Sequence, residues 1–173
     1  SNSVLSLLPD NAGNIWVGTY GQGPEKIEAQ TNQQLHYPDE EKIKQLSKYT
    51  YTIYQDSSGN MWFGGVRGAL ICYNAKKRTI QQYPVNGVRC MFEYRKGIFL
   101  IGNSNKLSKL DISSNKTEVL TIPGLESVVY CIYQEQQSKT IWLGSQGNGL
   151  FKLDKNLKLS RVVNESNGLA SNI

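Results

Sequence analysis

Asp10, Asp56 and Glu135 are the side chains best suited by type to acid–base chemistry, and their spacing argues against that use. A general acid and base need paired groups whose environments push their pKa values apart. These three instead recur at one place in a repeated unit, where a carboxylate closes a turn through nearby backbone N–H groups. His36, beside Tyr37 and Pro38, has no partner at a fixed spacing, so no Ser-His-Asp set and no paired-carboxylate set can be assembled. Cys72, Cys90 and Cys131 fit no metal-site spacing and are expected to be unpaired thiols, Cys90 and Cys131 being small residues where other units place Ser6 and Thr52. Gly21-Gln22-Gly23 and Gly147-Asn148-Gly149 have the look of phosphate loops, but no helix is expected after either, which makes them hairpin turns. The sequence thus predicts no catalytic residues, no metal and no cofactor.

The elements that carry these residues are set by a repeat. Ile15-Trp16-Val17-Gly18, Met61-Trp62-Phe63-Gly64, Phe99-Leu100-Ile101-Gly102 and Ile141-Trp142-Leu143-Gly144 are the same word, with Trp16, Trp62, Leu100 and Trp142 separated by 46, 38 and 42 residues. A unit of about 42 residues tiling the chain indicates a solenoid or a propeller. The first unit reads as strands at Val4–Asp10, Asn14–Thr19, Pro24–Glu28 and Gln33–Tyr37, and the second as strands at Thr50–Asp56, Asn60–Gly65, Leu70–Asn74 and Thr79–Tyr83. Between the first two strands of each, Asp10 to Asn14 and Asp56 to Asn60 have the composition of hairpin turns; the third unit keeps the turn glycine as Gly97 and the fourth loses it.

These strands alternate without a polar face. Leu5 and Leu7, with their counterparts Tyr51 and Ile53, point one way; Ser6 and Leu8, with Thr52 and Tyr54, point the other. Strands apolar on both sides must be covered on both sides, which suits small sheets stacked around an axis. The expected fold is therefore all-β: a β-propeller fragment of about four blades of four antiparallel strands each, over 3–48, 49–86, 87–126 and 127–166, with 167–173 opening a further repeat. Trp16, Trp62, Leu100 and Trp142 are its structural core, and Gly18, Gly64, Gly102 and Gly144 admit them closely. A β-solenoid is the rival, but it has a shorter period and less Trp-Gly punctuation. Four blades are few for a closed ring, so the expectation is a piece of a longer propeller, its open faces meeting further blades of the parent chain or a second copy.

Composition sets bounds. Charged residues make up 19% and hydrophobic residues 39% of 173, as in a folded domain. The net charge of +5 is scattered over turns and strand edges, with no interleaved aromatic and basic face, so nucleic acid is not an expected partner.

The run from Ser3-Val4 through Asp10, Gly13-Asn14-Ile15-Trp16-Val17-Gly18-Thr19, its second copy at Asp56 and Gly59-Asn60-Met61-Trp62-Phe63-Gly64, then Gly149-Leu150-Phe151-Lys152-Leu153-Asp154 and Asn167-Gly168-Leu169-Ala170-Ser171-Asn172, resembles the two-component-regulator propeller repeat. The third unit departs from it, with Leu100 for Trp, Tyr94 for Asp and Ser104-Asn105-Lys106 for the Gly-rich turn. The resemblance implies a periplasmic sensor region of a membrane-anchored, dimeric hybrid histidine kinase that responds to glycan fragments, with an oligosaccharide as ligand. It implies recognition without phosphoryl transfer, since no kinase motif is present.

In a propeller meander the turns between second and third strands share a face with the crossings between blades. Tyr20, Gln22, Arg67, Asn103, Asn105, Gln146 and Asn148 fall there, beside the crossing from Asp39 to Lys48, and their amide, guanidinium and phenol groups suit sugar hydroxyls and ring faces. The alternatives are a protein-interaction scaffold, which needs an exposed apolar face, and a propeller enzyme similar to streptogramin lyase, which needs several catalytic His and Glu residues.

Overall fold

The computed structural model describes residues 3–171, in two compact units divided after Val88. The first unit holds β1 (Val4–Pro9), β2 (Asn14–Thr19), β3 (Pro24–Glu28), a helix α1 (Glu40–Leu46), β4 (Thr52–Gln55), β5 (Met61–Gly64), β6 (Leu70–Asn74) and β7 (Thr79–Tyr83). The second holds β8 (Cys90–Arg95), β9 (Ile98–Gly102), β10 (Leu107–Asp111), β11 (Lys116–Leu120), β12 (Val129–Gln134), β13 (Ile141–Ser145), β14 (Gly149–Leu153) and β15 (Leu159–Val163). All pairing is antiparallel between sequence neighbours. It gives one three-stranded and three four-stranded meanders, which are the blades of a β-propeller fold.

The first blade departs from the expected four strands, because Gln33–Tyr37 contributes only a bridge between Gln34 and Ile27. Tyr37 is drawn inward: its ring lies 4.7 Å from Trp16, and its hydroxyl donates to the Pro24 carbonyl at 2.7 Å. The following crossing is also not plain loop. It contains α1, tied to β3 by the Lys44 ammonium, which lies 2.9 Å from Glu25 and 2.7 Å from Glu40. His36 has a partner after all, its Nδ1 lying 2.9 Å from Glu40.

Each unit has its own core. In the first, Trp16, Tyr37, Ile43, Ile53, Phe63 and Ile71 pack together; in the second, Leu100, Leu107, Ile141, Leu143 and Phe151 do. The repeated glycine sets how closely neighbouring sheets approach. Its strand partners are Ser6, Thr52, Cys90 and Cys131. A methyl group on Gly18 would lie 2.2 Å from Ser6 Oγ and 2.6 Å from the Thr50 carbonyl. One on Gly102 would lie 2.5 Å from Cys90 Sγ and 2.6 Å from the Val129 carbonyl. Cys90 and Cys131 are thus small residues at a crowded strand position. All three cysteines are free, and burial pushes the Cys90 thiol up to about 12, where it is inert as a nucleophile.

The recurring acids act on structure. Asp56 Oδ1 accepts from the backbone N–H groups of Ser58 and Asn60 at 3.0 and 2.8 Å, while Oδ2 accepts from the Trp62 indole at 2.9 Å. Asp10 holds Ala12, Asn14 and the Trp16 indole in the same way, and Glu135 reaches the Trp142 indole at 2.7 Å. The carboxylate therefore closes the hairpin and satisfies the one polar atom of a core tryptophan, which a low-dielectric site requires. Where the fourth unit lacks the turn glycine, Lys139 takes the left-handed conformation in its stead, with φ 57°. Where the third unit has Leu100, no indole needs an acceptor, and Tyr94 stands in place of the acid.

Burial alone would raise the Asp10 carboxyl, but the Asn14 backbone N–H and the Lys26 ammonium outweigh it and hold the group at about 2, below its ordinary 3.8. A folded-state value below the unfolded one contributes stability above the unfolded value and loses it as pH falls through the folded one. The urea midpoint is therefore expected to drop between about pH 4 and pH 2, and Asp10→Asn should flatten that part of the curve. An identical acid limb in the variant would remove Asp10 from the account.

Candidate ligand-recognition face

The β2–β3 turn of the first blade leans on the crossing that enters the second. Gly21 and Gly23 donate backbone N–H groups to the Lys48 carbonyl, each at 3.0 Å, and Tyr20 bridges to Tyr49. This brings three aromatic and cationic groups into a stack. The Tyr20 and Tyr49 rings are 5.0 Å apart, edge to face, and the Arg67 guanidinium lies 5.6 Å from the Tyr49 ring centre. Tyr20 is 44% exposed, so the stack reaches solvent. Beside it, Gln22 lines a cavity of about 350 Å³ with Glu41, Lys44 and Lys48.

The second unit repeats the arrangement with other residues. Gln146 donates its backbone N–H to the Val128 carbonyl, and its side-chain oxygen accepts from the Tyr130 hydroxyl at 3.3 Å. Arg89 lies 5.9 Å from the Tyr130 ring centre, and Tyr130 is 49% exposed. Asn105 is exposed and Asn148 half-buried, but Asn103 is buried at 3% exposure. The backbone of Asn103 joins the turn to β12, donating to the Lys106 carbonyl and accepting from Val129.

Of the residues proposed from sequence, the structure therefore groups Tyr20, Gln22 and Arg67 in one unit, and Gln146 and Asn148 in the other. It buries Asn103. Tyr49, Tyr130 and Arg89 were missed as members of these clusters. Tyr49 precedes its strand and is brought to the turn face only by the bridge to Tyr20. Among the core residues, Trp16, Trp62 and Leu100 are buried, whereas Trp142 is half-buried beneath the Lys152 ammonium, 5.1 Å from its ring centre. Among the described residues no group of three or more His, Cys, Asp or Glu side chains is placed to hold a metal ion.

The fold and this pattern of turns are those of a β-propeller. Residues 1–21 and 45–67 match the two component regulator propeller family, so the repeat read from the sequence is present in the first and second blades. Over 99% of its length the chain is 27% identical to a stretch of histidine kinase P4 from Formosa agariphila, and it spans 13% of that protein. Among solved structures, the extracellular domain of the hybrid two component system BT3049 of B. thetaiotaomicron is similar with a TM-score of 0.76 at 22% identity, over 99% of this chain and 23% of that one. The extracellular domain of BT4673 from the same organism gives 0.71 at 18% identity, over 93% and 22%. PorZ, a surface component of the type-IX secretion system of Porphyromonas gingivalis, gives 0.65 at 17%, over 98% and 28%. The chain thus spans between 13% and 28% of the length of these four relatives.

Proposed function

We propose that this chain is a ligand-recognition segment of an extracellular or periplasmic sensor propeller, one that feeds a two-component kinase and binds an oligosaccharide through its β2–β3-type turns. The observation that carries the reading is the exposed stack of Tyr20, Tyr49 and Arg67. An aromatic face beside a guanidinium and amides is the combination that takes a sugar ring by its apolar face and its hydroxyls by hydrogen bonds. The similarity to a histidine kinase and to extracellular domains of two-component systems supports the signalling part. The carboxylates that recur in the repeat are committed to turns and indoles, which supports recognition rather than catalysis.

The test is calorimetric titration with maltotetraose, xylotetraose and mannotetraose. Saturable binding by one of them is expected, weakened at least tenfold by Arg67→Ala or Gln146→Ala, because a site built for hydroxyls loses much when a polar partner is removed. Stability should change by no more than about 0.5 kcal/mol, as for surface substitutions. Binding by none of the three, or binding that both variants leave unchanged, would make the chain a scaffold.

A further inference from the structure

The third blade replaces the turn acid with Tyr94, and the consequence lies at the opposite end of its strands from the β2–β3-type turns. Tyr94 donates its hydroxyl to the Lys155 carbonyl in the fourth blade's β14–β15 turn. Arg95 packs on the same ring, 4.9 Å from its centre, with Nη2 3.2 Å from the hydroxyl. Tyr94, Arg95, Gln134, Lys139, Lys155 and Asn156 then line a cavity of about 470 Å³, within the range of small-ligand sites. Its walls are fixed by the backbone: Lys139 N–H donates to the Glu135 carbonyl at 3.1 Å, and Asp154 accepts from Asn156 and Lys158 N–H at 2.8 and 2.9 Å.

The charge of this cleft is one-sided. Arg95, Lys139 and Lys155 line it with no carboxylate among the lining residues. In the first unit Lys26, Lys44 and Arg78 are each paired with an acid, whereas these three cations make no ion pair among the described residues. Of the neighbouring acids, Glu135 accepts from Trp142 and Ser138, Glu93 from the Gly97 N–H, and Asp154 from its own turn; Asp154 lies within electrostatic reach of Lys155, and Asp111 lines the adjoining cavity with Tyr94 and Arg95. Three cations around one cavity with no carboxylate in its lining favour an anion, and a guanidinium is suited to two oxygens of a carboxylate or sulfate. The remaining lining groups are amides and a phenol ring, which suit hydroxyls and ring faces. No aliphatic side chain is among them to anchor a peptide.

We infer that the cleft between the β8–β9, β12–β13 and β14–β15 turns binds an acidic saccharide, its carboxylate or sulfate held by Arg95, Lys139 and Lys155. The choice of a saccharide over other anions rests on the recognition function proposed above; the location and the charge do not.

Calorimetric titrations of the whole chain would use trigalacturonate, a heparin-derived tetrasaccharide, neutral maltotriose and hexaglutamate. At least one acidic saccharide is expected to bind saturably. Arg95→Gln with Lys155→Gln should weaken it tenfold or more, and Lys76→Gln with Lys77→Gln, which removes as much charge from an exposed turn outside the cleft, should leave it unchanged. Maltotriose should not compete. Both cleft side chains are exposed, so melting curves of the variant should match the parent. The inference is overturned if neither acidic saccharide binds, if hexaglutamate binds as tightly, or if the cleft variant binds like the parent. Loss of binding only in Arg67→Ala with Gln146→Ala would overturn the cleft while leaving saccharide recognition at the other turns intact.

Discussion

Trp62→Ala is expected to lower the unfolding free energy by about 3–5 kcal/mol, the range for truncating a large buried aromatic residue. Trp62 is fully buried, its ring lies 5.3 Å from that of Tyr83, and its indole N–H is bonded to Asp56. The lost area and the cavity left behind both contribute, and the carboxylate loses its donor. Trp142→Ala removes the same side chain from a half-buried position and should have a clearly smaller effect. Urea unfolding of the two variants side by side checks the order. Equal effects, or an unchanged midpoint for Trp62→Ala, would sink the packing assignment.

The second large effect concerns the bond between turn and core. Asp56→Ala is expected to destabilise by about 3 kcal/mol, since it removes charge-assisted hydrogen bonds and leaves a buried indole N–H without its acceptor. In a Trp62→Leu background the same change should matter less by roughly 1–2 kcal/mol, because the orphaned donor is no longer there. The third blade already carries that double replacement, with Leu100 and Tyr94 at the two positions. A double-mutant cycle measures the coupling directly. Additive effects would mean that Asp56 acts through its turn alone and that the absence of both residues from the third blade is coincidence.

The strand pattern was legible because its causes are local. The boundaries of β2, β3, β6 and β7 agree with the reading of alternation and turn residues, since Gly and Asp fix hairpins from within a few residues. The structural role of the acids was also legible, from their recurrence at one place in the repeat, although the bond to the indole six residues on was not foreseen. Helix α1 was missed for physical reasons. It is seven residues long, Asp39 provides no side-chain cap, and Ile43 is its one buried apolar side chain, so there is no periodicity to see. The lost fourth strand of the first blade has a similar origin, because the pull of Tyr37 toward Trp16 depends on a ring two strands away.

What the sequence determined alone was the repeat, and with it the antiparallel blades, the glycine that lets neighbouring sheets approach and the position of the tryptophans. These depend on period, on turn chemistry and on side-chain size, all written within each unit. The tertiary structure decided which polar side chains meet. Tyr49 joins Tyr20 and Arg67, Arg89 and Tyr130 join Gln146, and Tyr94 gathers Arg95 and Lys155 around one cavity, through contacts between residues up to 61 positions apart. Such meetings are fixed by how sheets stack and how crossings run over them, a geometry to which no single stretch of sequence commits the chain.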